Sequence, residues 1–255
     1  MTPVTVSSGF GVRKFDEVHS ATVGSDRHHG GDFHRTRLLH NRSPGQSTAS
    51  GCGSGGKACA DAPAPIPSRD ALALLNALRV ADRAPKTGYS RDEFGPPWSD
   101  NVSVPGGGNG CDTRNDILQR DMTDVTFKSG KCIVSTGMLA DLYTGKTIDF
   151  KRGTKTSDDV QIDHVVALSN AWQTGAQQLS AERRRDLAND PMNLQAVDGP
   201  TNQSKSDSDA AEWLPPNKGY HCAYVTRQVQ VKTAYKLWVT PAEKDAMSRI
   251  LTACP

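Results

Sequence analysis

With 255 residues and a net charge of +2, the chain has room for one large domain or two small ones, and is too nearly neutral to hold a polyanion through bulk charge alone. Hydrophobic content of 36% and aromatic content of 6% are low for a chain packed along its whole length, so a folded part with polar ballast is expected. No stretch approaches the roughly 20 apolar residues that span a bilayer, which leaves no candidate transmembrane helix.

Charge and histidine divide unevenly along the chain. Residues 1–60 hold seven Lys/Arg and four Asp/Glu, leaving 23 basic and 24 acidic residues for 61–255. A polyanion bound by the latter part must therefore meet a local basic patch or a metal. Five of the seven histidines (His19, His28, His29, His34 and His40) lie in the first 60 residues, so only His164 and His221 remain as candidates for a neutral-pH base in the folded part.

Residues 1–67 are rich in Gly, Ser, Thr, His, Arg and Pro without sustained periodicity, and are predicted to form a disordered tail or tether. "RHHGGDFHRTRLLH" reads as a solvated stretch, with metal binding through its histidines as the alternative. "TASGCGSGGKACADAPAPIP" resembles the start of a mature bacterial lipoprotein at Cys52. It lacks a preceding apolar h-region and has Ala49 where leucine is usual. Read as written, this start would not be exported, so either the protein is cytoplasmic or the natural start differs.

The folded part, 68–255, is expected to open with a helix: Ser68 as N-cap, Asp70 in the first turn, one apolar face of Ala71, Leu74, Leu75 and Leu78, and Pro85 beyond its end. A loop dense in Gly, Pro, Asn and Asp follows. Asp124–Phe127, Lys131–Ser135 and Thr147–Phe150 have strand composition with turn residues between them. "VQIDHVVALSNAW", from Val160, reads as a buried strand carrying Asp163 and His164. Ser180 caps a helix over Ala181–Asn189, "MNLQAV" is a short strand, and "TNQSKSDSDAAEWLPP" a short helix stopped by Pro215 and Pro216. The last forty residues read as two helices, the second opened by Thr240, Pro241 and Glu243 as N-cap, N1 proline and capping-box acid.

None of the six cysteines forms a CxxC pair or zinc-finger spacing. In the folded part the simplest pairing is Cys111–Cys132 with Cys222–Cys254, each worth about 3 kcal/mol in the chain-entropy model. That points to an oxidising compartment, extracellular or at the cell surface. Four buried thiols in a cytoplasmic protein are the alternative.

The order strand with Asp163-His164, strand with Asn193, helix with Asn202 resembles the HNH nucleases and their ββα-metal motif. "QIDHVVALSNAW", "ANDPMNLQAVDGPTNQSKSD" and "AEWLPPNK" are especially similar to an actinobacterial group related to the C-terminal nuclease domain of the GmrSD restriction enzymes. The likeness extends upstream through "GCDTRNDILQRD". The resemblance implies an α+β fold with a ββα-metal core at about 158–214 and flanking helices. It implies a DNA endonuclease leaving 5′-phosphate and 3′-hydroxyl ends, with RNA still open as substrate. Within it His164 matches the general base, Asp163 the adjacent metal ligand, Asn193 the asparagine that orients the histidine, and Asn202 the metal ligand on the helix. Asparagine stands at this last position where the name-giving pattern has histidine.

The chemistry of these side chains agrees. A carboxylate and an amide carbonyl are hard oxygen donors suited to Mg²⁺, with Mn²⁺ as a substitute. A neutral imidazole is a good proton acceptor near pH 7. Adjacent strand residues point to opposite faces, so Asp163 and His164 share a site only if the strand ends or bends there. The alternatives are an inactive nucleic-acid-binding module of the same fold and a different hydrolase using the Asp-His pair. Lys205 reads as a phosphate contact or a surface residue, and Asn202 also as a helix N-cap. Arg114 and Arg120 read as structural ion pairs or phosphate contacts, and His221 as structural. Arg183–Arg185 read as a solvated helix face, and Trp98, Trp172, Trp213 and Trp238 as core.

Overall fold

The apolar spacing after Pro67 folds as a helix. In the computed structural model, which describes residues 66–255, α1 spans Ser68–Ala77 and buries Ala71 and Leu75. Pro67, not Ser68, holds the N-cap position. The expected tail, its histidine-rich stretch, Cys52 and Cys59 lie outside the described residues.

Helix α1 packs on the two C-terminal helices, α6 (His221–Ala234) and α7 (Pro241–Ala253). Their shared core contains Leu75, Val225, Val229, Met247 and Leu251. The Thr240–Glu243 capping box forms as expected. Glu243 also reaches the fully buried Lys232 at 2.8 Å, joining α6 to α7 by a covered ion pair. Cys222, near the start of α6, is bonded to Cys254, just past α7, closing a loop with a sequence separation of 32. Replacing both cysteines by serine is expected to remove about 3 kcal/mol of stability and to lower the melting temperature of the oxidised protein by roughly 10 °C. An unshifted calorimetric melt would deny the bond that role.

A three-stranded antiparallel sheet, β1 (Met122–Phe127), β2 (Val134–Ala140) and β3 (Thr147–Lys151), follows α2 (Thr113–Asp121). Asp112 caps α2, and the Cys111–Cys132 bond fastens the start of this helix to the β1–β2 connection. Strand β2 begins three residues later than expected and runs through Gly137. A Cβ at Gly137 would meet the Met122 side chain at 3.2 Å, so the glycine here permits close approach rather than breaking the strand.

The element that places the site is a second, two-stranded sheet. Strand β4 (Val160–His164) pairs antiparallel with β5 (Leu194–Asp198), setting His164 opposite Leu194 and Asp163 opposite Gln195. Between them lie α3 (Leu168–Gln173) and α4 (Ala181–Asn189), the latter capped by the Ser180 side chain. Strand β5 runs directly into α5 (Gly199–Lys205), whose N-cap is Asp198. A Cβ at Gly199 would lie 1.9 Å from the Asp158 carbonyl oxygen, so only glycine lets the strand turn into the helix here. The order β4, β5, α5, with α3 and α4 between the strands, matches the ββα order that the sequence resemblance implies, within an α+β fold.

Helix α5 is shorter than expected and stops at Ser206, which sits at φ 53°. The acids beyond it are drawn to the chain after α1. Arg83 bridges Asp209 and Glu212 at 2.8 Å each, and Lys86 meets Asp207 at 3.0 Å. These contacts hold residues 207–214 as turns.

Candidate active site

Strand β4 ends at His164, which meets the geometric demand that two adjacent side chains serve one place. Asp163, His164 and Asn202 all line a cavity of about 470 Å³, with Arg91, Ser169 and Asp207 on its walls.

His164 is 8% exposed. Its Nε2 lies 2.9 Å from the Ala188 carbonyl oxygen at the end of α4. A carbonyl oxygen only accepts, so Nε2 carries the proton in this pairing and Nδ1 is left with its lone pair. Burial pushes the imidazole pKa down to about 4 against the opposing pull of the Ala188 bond and Asp163, so the ring is neutral near pH 7. Trp98 stacks beside the imidazole: its ring lies 6.1 Å from that of His164 with an interplanar angle of 15°. It does so at φ 56°, a left-handed backbone conformation costly for a bulky residue.

Asn193 is fully buried and holds the loop that follows His164. Its Oδ1 accepts from the Val166 N–H at 2.8 Å, and its Nδ2 donates to the carbonyls of Val166 and Leu187 at 3.3 Å each. One amide thus ties the chain after β4 to the end of α4, the two segments that set the histidine ring.

Asp163 sits in a buried network that the sequence did not announce. Lys205 Nζ donates to both of its carboxylate oxygens at 2.8 Å and to the His164 carbonyl oxygen at 2.7 Å. The Tyr143 hydroxyl donates to Oδ2 of the same carboxylate. Burial and the adjacent Asp163 hold that hydroxyl protonated, far above the ordinary phenol range. The expectation that Lys205 meets phosphate or solvent is corrected by its burial: it is 0% exposed, with three oxygens around its ammonium.

Arg114 and Arg120 are likewise spent inside the molecule. Arg114 donates to the carbonyls of Ser157 and Val160, bracing α2 against the start of β4. Arg120 grips Asp121 and the carbonyls of Pro191 and Leu194, bracing α2 against β5. His221 bonds the Pro215 carbonyl at 2.7 Å, in keeping with a structural part.

Asn202 lies inside α5, so the capping alternative falls to Asp198. Its Nδ2 donates to Gln161 Oε1 at 2.9 Å, which aligns the amide and leaves Oδ1 as its oxygen donor. Asp163 fits a metal only in part. A carboxylate offers about four lone-pair positions, and Tyr143 and Lys205 occupy three of them. Oδ1 retains one. No cluster of three or more His, Cys, Asp or Glu suited to a metal occurs among the described residues. One carboxylate lone pair and one amide oxygen suit a hard ion that keeps most of its water, as Mg²⁺ does.

Tyr143, Trp98 and Gln161 complete this site without a sequence signal that would have selected them. Asp207, which also lines the cavity, bonds the Ser169 hydroxyl and Lys86.

The family model for the C-terminal domain of GmrSD restriction endonucleases matches residues 112–250. A relative from Arthroderma benhamiae, described as an uncharacterized secreted protein, is 38% identical over 201 residues, covering 75% of this chain and 92% of the relative. No solved structure matches.

Proposed function

Because the chain belongs to the family of the C-terminal domain of GmrSD restriction endonucleases, we propose that it is a metal-dependent endonuclease that hydrolyses phosphodiester bonds of DNA. The observation that carries this reading is the single free nitrogen of His164. Nε2 keeps its proton and donates it in a hydrogen bond to the Ala188 carbonyl, so Nδ1 is the atom that accepts a proton from water. A phosphodiester anion resists attack, and an in-line water that loses its proton to Nδ1 becomes the nucleophile at phosphorus. The bond to the leaving 3′-oxygen then breaks, giving 5′-phosphate and 3′-hydroxyl ends.

Asn202 Oδ1 and the remaining lone pair of Asp163 would hold Mg²⁺, or Mn²⁺ in its place. Bound there, the ion would supply charge neutralisation and Lewis acidity at the phosphate. Asn193 keeps the loop after His164 in register, and Lys205 fixes the His164 carbonyl, so the ring meets the water from one direction. The family, two disulfides and a relative described as secreted support an extracellular nuclease.

Cleavage of labelled DNA followed against Mg²⁺ concentration tests the metal assignment. Asn202→Ala is expected to raise the Mg²⁺ needed for half-maximal rate by about tenfold or more, with the maximal rate approached at high Mg²⁺. A superimposable titration would reduce Asn202 to its bond with Gln161.

A further inference from the structure

Beside the polar cavity lies a second, smaller one of about 170 Å³, lined by Phe94, Pro97, Trp98, His164, Ala188 and Asn189 among others. The two share Arg91, His164 and Leu168, so they meet at the proposed base. The smaller one is well below the ~300–1,000 Å³ of pockets for drug-sized ligands, which suits one planar ring system rather than a nucleotide. Its wall is aromatic and proline-rich, a surface on which a heterocycle stacks.

One polar group in that wall has nothing to do. Asn189 ends α4 and is 2% exposed; its Nδ2 donates to the Arg185 carbonyl at 2.9 Å. Its Oδ1 is buried and has no hydrogen-bond partner. A buried acceptor left unmet costs stability, and such exceptions ask for a reason. Trp98, at the same slot, is held at its left-handed φ of 56°. Two local costs thus fall on residues that line one slot next to His164.

We propose that this slot is a nucleobase subsite of the same centre, taking one unpaired base beside the scissile phosphate, stacked on Trp98 and donating an edge amino group to Asn189 Oδ1. The inference rests on the nuclease reading above and adds to it a preference. Adenine, cytosine and guanine present an amino group; thymine presents only an imino N–H flanked by two carbonyl oxygens, which face Oδ1 unfavourably. A base enters the slot only when out of its stack, so a single strand is the simplest substrate.

The test is to incubate the full oxidised chain with Mg²⁺ and single-stranded DNA of random sequence, then sequence the cut ends. One position flanking the cut is expected to favour amino-bearing bases over thymine by roughly two- to tenfold, the factor of one hydrogen bond. In Asn189→Leu that ratio is expected to fall to background; being internal to each library, it does not depend on overall rate. Cut ends without base bias in the wild type would overturn the subsite and leave the nuclease standing. So would an undiminished bias in an Asn189→Leu protein that melts cooperatively. Uncut single strands would overturn the subsite, and the nuclease reading falls with it if plasmid and RNA also stay intact.

Discussion

His164→Ala is expected to lower the rate of DNA cleavage by about 10²–10⁴-fold, while Mg²⁺ and DNA binding stay near wild type. The loss is confined to turnover because the imidazole supplies a proton acceptor rather than a ligand. Its Nε2 is already engaged by the Ala188 carbonyl, and Asp163 and Asn202 reach the cavity from β4 and α5 without it. The ring is also packed against Trp98, so the variant leaves a small void. Near-UV dichroism separates any resulting looseness from loss of chemistry. A folded variant with normal turnover would remove His164 from the reaction.

Lys205→Met is the second large expectation, and its effect is on stability. Breaking a buried pair leaves one charge covered and uncompensated, at a cost of about 3–5 kcal/mol. Here the survivor is Asp163, left with the Tyr143 hydroxyl alone. The melting temperature should drop by on the order of 10 °C. Adding Asp163→Leu should return part of the loss, since an apolar pair of similar volume often replaces a buried ion pair without penalty. If Lys205 served phosphate instead, Lys205→Met would melt like wild type and raise KM for DNA. The double variant stays inactive in either case, because it lacks a metal ligand.

Local chemistry was readable wherever the partners lie within a few residues. Ser180 capping α4, the Thr240–Glu243 box of α7 and a strand carrying Asp163 and His164 follow from short-range pattern, and the structure has each of them; the expected strand runs on past His164, where the structure instead turns into α3. The cysteine pairing was the simplest nearest-neighbour choice in sequence, and both bonds form. What escaped depends on distance along the chain. Asp163 meets Tyr143 twenty residues before it and Lys205 forty-two after it. No periodicity links such positions, and a lysine among polar residues reads as solvated until the fold closes over it.

Composition misled in two places for definable reasons. Strand composition over Lys131–Ser135 stops short of Gly137, yet β2 runs through it, where a Cβ would meet the Met122 side chain. The run after Asn202 reads as a helix out to Pro215, yet α5 ends at Lys205 and Asp207, Asp209 and Glu212 meet Lys86 and Arg83 instead. Trp98 has core composition, and its exposure to the site follows from a backbone angle that sequence does not express. In the candidate site, then, the residues of the motif were legible and the groups that hold them in place were not.

The central claim is that this chain cuts phosphodiester bonds through a metal held beside His164. The full oxidised protein incubated with supercoiled plasmid tests it most directly. Nicking followed by linearisation in Mg²⁺, arrested by EDTA and restored by added Mg²⁺, is the result expected. Cleavage that proceeds unchanged in EDTA would contradict the metal, and intact plasmid, single-stranded DNA and RNA in both Mg²⁺ and Mn²⁺ would contradict the nuclease.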